Sequence, residues 1–266
     1  MPGTDSEKSW HSAGELPTGT AIPDTGGSAV LVQDEPKIRI VLSMAPDSRT
    51  RLITKIYRTP LALTWRDLFR IPQAQREFGN LQFAFQKGLP VVEPFSYGIR
   101  RRPGHDWFSQ LTIGFLEGKT LLEVLNQPGI TEEQTTQLLR KASRLIAMMH
   151  RAGLVWGTVH FGNFMVNESA ENLLTAFDLP YALCAAKDMR DSRYALYDLW
   201  SLERSCRAMH GLDRRVIKEL YAAYAGEAGG DPEQWSDRVR STEVKKGFLW
   251  DRIYMRSVGS FRLRPF

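Results

Sequence analysis

The chain has 266 residues, of which 42% are hydrophobic and 24% charged, a balance typical of a globular protein with an ample core. The formal net charge of +5 is too small to indicate a nucleic-acid partner by itself, and no zinc-finger spacing or basic zipper supports one. No run approaches the roughly 18 apolar residues that span a bilayer, and the polar N-terminus has no signal-peptide core, so the sequence predicts a cytoplasmic protein.

The beginning of the chain is predicted to be an arm that leads into β-structure. Residues 1–28 are rich in Gly, Pro, Ser and Thr and have no apolar periodicity, so we expect a flexible N-terminal arm. Strand-like runs follow at 29–33, 37–44 and 50–58. The segments between them contain proline and aspartate, which are typical of turns.

A helix is predicted next, from Gln73 to Lys87. Phe78, Leu81 and Phe85 recur at helical spacing and would form its apolar face, and Gly88 would end it. Two more strands are predicted, at 91–98 and 108–115.

The clearest predicted helix runs from Glu132 to Ala152. Thr131 with Gln134 three residues later predicts a capping box at its start. Its apolar stripe consists of Leu138, Ala142, Leu145, Ile146 and Met149.

A polar loop at 154–163 and a hairpin of two short strands, 164–166 and 173–177, are predicted after this helix. Helical patterns return from about residue 191 onward. A sheet-rich first half followed by a mainly helical second half predicts the α+β class.

Four polar residues lie in the order that phosphoryl transfer requires. Such chemistry uses a lysine for the nucleotide phosphates, a helix glutamate that orients it, and an acid with an amide for magnesium. Lys55 lies in an apolar strand, Glu77 on the next helix, Asn163 in the polar loop and Asp178 after the hairpin. Each residue taken alone fits a solvated or turn position better than a functional one, and only the ordered set favours the functional interpretation.

Several short motifs occur in an order typical of one kinase family. They are KIYR at 55–58, REF at 76–78, MHRAG at 149–153, FDL at 177–179 and YDL at 197–199. In these motifs the chain resembles the bacterial kinases that phosphorylate heptose or Kdo in the lipopolysaccharide core.

This resemblance implies a two-lobed protein-kinase-like fold, with an N-lobe at 29–115 and a C-lobe at 116–266. It implies ATP and Mg²⁺ as cofactors and a lipopolysaccharide core sugar as the acceptor. Lys55 and Glu77 would form an ion pair that serves the nucleotide. Asn163 and Asp178 would be the metal ligands.

The chain departs from the kinase pattern at two places. The catalytic aspartate of kinases lies five positions before the metal-binding asparagine, and this chain has Thr158 there. The turn at 33–36 contains no glycine, although kinases cover the nucleotide with a glycine-rich loop.

Two further residues near the predicted loop have open roles. His160 is either a substitute base, since histidine titrates near neutral pH, or a structural residue packed beneath the metal loop. Asp198 is predicted to support the loop by accepting hydrogen bonds from its backbone amides.

The C-terminal segment at 238–264 contains eight basic and two acidic residues, with aromatic residues between them. Such a segment suits the anionic inner leaflet and predicts peripheral association with the inner membrane. The alternative is a closing helix that packs on the second lobe and has a solvated charged face.

Three functions remain open from the sequence. The first is a lipopolysaccharide core kinase that transfers ATP phosphate to a heptose or Kdo hydroxyl, with catalysis impaired by Thr158. The second is a non-catalytic pseudokinase that binds a partner kinase or another envelope-biosynthesis enzyme. The third is a small-molecule phosphotransferase of the aminoglycoside or choline type, which would normally keep an H-G-D motif where this chain has Trp156-Gly157-Thr158.

Overall fold

The structure is a computed structural model, and its contacts divide the chain into two compact units. It describes residues 29–45, 49–61, 70–101, 104–167, 174–209 and 214–241. Within those ranges, the first unit contains 29–82 and 92–115, and the second contains 83–91 and 116–241. The predicted arm at 1–28 and the basic segment from 242 onward lie outside the described residues.

The first unit is built on an antiparallel sheet of five strands in the order β1-β2-β3-β5-β4. The strands are β1 (Val30–Asp34), β2 (Ile38–Met44), β3 (Arg51–Thr59), β4 (Pro94–Arg100) and β5 (Trp107–Gly114). Strand β3 is central, and its Lys55 lies opposite Ile40 of β2 and Leu111 of β5. Four of the predicted strands are confirmed to within a residue or two. Strand β4 begins later than expected, because Val91 instead forms an isolated parallel bridge with Ala176 within the second unit.

Helix α1 (Gln73–Gln86) forms as predicted, but its buried face differs from the expected one. Phe85 is 46% exposed, so its assignment to the apolar face was wrong. The fully buried positions are instead Ala74, Glu77, Asn80, Leu81 and Ala84. They recur at helical spacing, and the small alanines permit close packing at both ends of this face.

The second unit is mainly helical. Its helices are α2 (Leu121–Leu125), α3 (Glu132–Arg151), α4 (Arg193–Arg207), α5 (Arg214–Ala228) and α6 (Pro232–Arg240). The predicted capping box of α3 is confirmed: Gln134 N donates to Thr131 Oγ1 at 3.1 Å and Thr131 N donates to Gln134 Oε1 at 2.9 Å. The predicted apolar stripe of α3 is buried, and Ser143 Oγ donates to Leu220 O of α5 at 2.7 Å.

Short strands complete the second unit. The predicted hairpin is confirmed as β8 (Phe164–Val166) antiparallel to β9 (Leu174–Ala176). Strand β6 (Lys119–Thr120) pairs with β8, and β7 (Leu154–Val155) pairs with β10 (Leu183–Cys184). These two-residue strands and the five-residue α2 were not predicted, because they are too short to show a period.

Together, the elements confirm the predicted α+β class. Over the part of the chain that the structure describes, every helix is too short or too polar to cross a membrane.

Candidate functional site

Lys55 and Glu77 form the predicted ion pair within the first unit. Lys55 Nζ lies 2.8 Å from Glu77 Oε1, and the side chains are 7% and 0% exposed. The other carboxylate oxygen, Oε2, accepts a hydrogen bond from Tyr57 Oη at 2.6 Å. Both oxygens of this buried carboxylate are therefore hydrogen-bonded, which is what makes a buried ion pair tolerable.

Local structure explains why these three side chains meet. Lys55 and Tyr57 are two residues apart on β3, and side chains at this spacing project from the same face of a strand. Glu77 occupies the middle of the buried face of α1. Sequence reasoning missed the role of Tyr57, although its spacing from Lys55 was the available signal.

Gly153 ends α3 and leads the chain into the predicted polar loop. It has φ +91°, and a Cβ there would lie 2.1 Å from Ala185 O. The Ala185 amide also donates to Gly153 O at 2.7 Å. Only glycine meets both requirements, so α3 must end here and the chain turns into β7.

Asp198 holds this loop from α4, as predicted. It accepts from Trp156 N at 2.6 Å and from Gly157 N at 2.7 Å. His150 Nε2 lies 3.1 Å from the same carboxylate, and both His150 and Asp198 are completely buried. The buried carboxylate of Asp198 thus has three hydrogen-bond partners. Two of these hydrogen bonds hold the loop backbone directly before Thr158.

Asn163 and Asp178 are brought together by backbone and side-chain hydrogen bonds. The Asn163 amide nitrogen donates to Thr158 O at 3.1 Å. Phe177 N donates to Asn163 O at 3.1 Å, and Asp178 follows directly. Trp156 Nε1 donates to Asp178 O at 3.0 Å.

Asp178 has φ +64°, the left-handed region that side chains other than those of Asn and Asp rarely occupy. Such strained residues concentrate at functional sites. One carboxylate with one amide oxygen is a hard donor set that fits Mg²⁺, which keeps several waters and binds phosphates. Among the described residues no group of three or more His, Cys, Asp or Glu could hold a metal.

Thr158 occupies the position of the kinase base. Its Oγ1 is buried and makes no hydrogen bond to any residue that the structure describes. A hydroxyl cannot act as a base near neutral pH as a carboxylate does. The loop therefore carries a hydroxyl, and no carboxylate, at the position where the kinase pattern predicts the base.

His160 lies two residues after Thr158, and part of its side chain is exposed to solvent. Its ring lies over Gly162, whose Cβ position would be 3.1 Å from Nδ1 and Cε1. Partial desolvation lowers the pKa of His160, and the nearby Asp178 carboxylate acts in the opposite direction. A lowered pKa favours the neutral imidazole, the form that can accept a proton.

The β1–β2 hairpin differs from a phosphate-binding loop. Glu35 N donates to Ile38 O at 2.9 Å and Ile38 N donates to Glu35 O at 3.3 Å, so the turn uses its own amides. Arg39 binds both carboxylate oxygens of Asp34 at 3.0 Å. Loops that bind phosphate present free backbone N–H groups, and this turn contains no glycine and two carboxylates.

Comparisons with known proteins identify a family and a similar fold. The sequence model of the family described as "Lipopolysaccharide kinase (Kdo/WaaP) family" matches residues 33–234. A solved structure, "WaaP in complex with acyl carrier protein", is similar with a TM-score of 0.59 and 17% sequence identity, over 86% of this chain and 90% of that chain. At this identity the structural similarity concerns the fold. No curated protein matches the chain.

Proposed function

The chain belongs to the lipopolysaccharide kinase (Kdo/WaaP) family and has its protein-kinase-like α+β fold, and from that premise we propose that it binds Mg–ATP but transfers phosphate poorly. Membership supports a role of the lipopolysaccharide-core kinase type. The acceptor we propose is a heptose or Kdo hydroxyl. The family match also favours this acceptor over the small molecules of aminoglycoside and choline kinases.

The observation that carries the proposal is the buried Lys55–Glu77 pair. A lysine held by a glutamate in this way keeps its ammonium group in one position, where it can bind nucleotide phosphates. Tyr57 completes the hydrogen bonds of Glu77, so the carboxylate is not free to move away. In our proposal Lys55 binds the phosphates and Glu77 positions Lys55.

Asp178 and Asn163 are the proposed metal ligands. When bound, magnesium would neutralise charge on the phosphates. Thr158 would lie beside the acceptor hydroxyl without accepting its proton. His160, exposed and favoured in its neutral form, is the remaining candidate for that task.

Thermal unfolding with ATP, in the presence and absence of Mg²⁺, tests this proposal. We expect ATP to raise Tm only with Mg²⁺, and we expect Asp178→Asn to abolish that rise. Asparagine is chosen because it tolerates the positive φ at this position, whereas alanine would add backbone strain. Asp188→Asn, which changes an exposed carboxylate paired with Arg190, is the matched control. Full Mg²⁺-dependent stabilisation of Asp178→Asn would refute the assigned role.

A pseudokinase is the second candidate, and the unpartnered Thr158 hydroxyl favours it. Such a protein would bind nucleotide or a partner without chemistry. The similar WaaP structure is a complex with an acyl carrier protein. The candidate partners of this chain are therefore a partner kinase and a carrier protein. Peripheral membrane association remains a proposal based on the basic segment at 238–264, most of which lies outside the described residues.

A further inference from the structure

A buried chain of hydrogen bonds connects the loop before Thr158 to helix α5. Asp198 accepts from Trp156 N and Gly157 N and lies 3.1 Å from His150 Nε2. The second ring nitrogen of His150, Nδ1, lies 2.9 Å from Tyr224 Oη. His150, Asp198 and Tyr224 are all 0% exposed, so water cannot replace any of these partners.

The partners determine where the imidazole proton lies. A carboxylate only accepts hydrogen bonds, so His150 must carry a proton on Nε2 to bind Asp198. In the neutral imidazole, Nδ1 then accepts the hydroxyl proton of Tyr224. Burial raises the pKa of Tyr224, and the Asp198 charge acts in the same direction, so the hydroxyl remains protonated and able to donate.

The position of the Tyr224 hydroxyl is fixed by packing. The Tyr224 ring lies edge-on to Trp235, with centroids 5.1 Å apart, and Trp235 Nε1 donates to Gly229 O at 2.9 Å. The same ring lies 5.7 Å from the ring of His150. The hydroxyl oxygen therefore cannot move away from Nδ1 of His150 unless the ring packing changes.

We propose that Tyr224 is a positioning residue for the loop, because it holds His150 in the tautomer that binds Asp198 and so keeps the amides of Trp156 and Gly157 in place. The functional consequence rests on the proposed function, in which this loop presents Asn163 to Mg–ATP. Tyr224 itself contacts no reacting group.

Tyr221 supplies a matched control on the same helix. It is also buried, at 1% exposure, and its hydroxyl donates to Glu203 rather than to the loop network. Tyr224→Phe and Tyr221→Phe each remove one buried hydroxyl and keep the ring. Each variant loses one buried side-chain hydrogen bond. Only Tyr224→Phe removes a bond from the network of His150 and Asp198 that reaches the loop.

The experiment measures hydrogen exchange of the Trp156 and Gly157 amides, ¹⁵N chemical shifts of the His150 ring, and Mg²⁺-dependent ATP affinity of the full chain. We expect Tyr224→Phe to speed exchange at both amides about tenfold, as for loss of one buried hydrogen bond, and to weaken ATP binding. Tyr221→Phe should leave all three readouts unchanged. Equal exchange in the two variants, or an unchanged His150 spectrum in Tyr224→Phe, would overturn the inference.

These readouts separate the inference from the function on which it rests. Exchange and the His150 spectrum need no nucleotide. If the wild type fails to bind Mg–ATP while only Tyr224→Phe loosens the loop, the proposed function fails and the positioning role stands. If ATP binds but the loop is unaffected, the positioning role fails alone.

Discussion

Lys55 and Thr158 occupy two important positions of the kinase pattern, and their surroundings differ. The Lys55–Glu77 pair is buried, and both oxygens of its carboxylate are hydrogen-bonded. Thr158 has a buried hydroxyl that no described residue binds. If the proposed roles hold, the difference teaches that the residues that hold a nucleotide can be kept in a chain that lacks the proton-accepting carboxylate, because most phosphoryl-transfer catalysis comes from positioning and charge.

The largest expected effect comes from restoring the missing carboxylate. Thr158→Asp should raise phosphate transfer to dephosphorylated core lipopolysaccharide, because base assistance contributes about 10²–10⁴-fold. Thr158→Asn is the control, since asparagine has the shape of aspartate without its charge and should stay as slow as the wild type. Incorporation of labelled phosphate measures the change.

Two outcomes of that assay would change the interpretation. Rapid wild-type transfer that Thr158→Asp slows would disprove the missing-base interpretation, and His160→Gln would then test the other candidate. No transfer by either protein despite tight Mg–ATP binding would favour the pseudokinase.

The second-largest expected effect concerns the buried pair of Lys55 and Glu77. Glu77→Leu should lower the free energy of unfolding by about 3–5 kcal/mol, because it leaves the Lys55 charge buried without its carboxylate. The double variant Lys55→Met with Glu77→Leu should recover most of that stability, because no buried charge remains. Urea unfolding measures both.

The same double variant separates stability from binding. It should fold and show no Tm rise with Mg–ATP, because the phosphate-binding lysine is gone. A double variant that binds Mg–ATP as the wild type does would contradict the role of the pair.

The smallest effect is a pH dependence at His160. Since its folded pKa is lowered, its contribution to stability is fully present above the unfolded value of about 6.5 and is lost as pH falls from there through the folded pKa. An NMR titration should place the His160 pKa below that of an unstructured peptide. Asp178→Asn should lower it further, because the carboxylate acts to raise it. A pKa that rises in this variant would show that the two groups do not interact as the structure indicates.

The ion pair between Lys55 and Glu77 was predicted from the sequence and is present in the structure, whereas the metal-binding roles of Asn163 and Asp178 stay predictions. Lys55, Asn163 and Asp178 could be proposed from the sequence because each lies at a fixed place relative to a strand, a helix end or a hairpin. Glu77 was found by its order in the motif set, although its complete burial contradicts the usual exposure of helix glutamates.

What the sequence could not predict depends on contacts between distant residues. Tyr224 binds His150 across 74 positions, and no local period links them. The exposure of Phe85 arises because Glu77 and the alanines occupy the buried face of α1. The hairpin turn at 33–36 was recognised as lacking glycine, but its closure by its own amides required the structure.

The backbone of Asp178 sets a limit on engineering this protein for robustness. Glycine would remove the conformational cost of the left-handed backbone at that position, which is about 1 kcal/mol of folding free energy. A screen that rewards heat resistance alone would therefore favour Asp178→Gly, and that variant would lack the carboxylate that we propose as a metal ligand. Selection for thermal stability would favour glycine at position 178, whereas selection for ligand binding would favour aspartate.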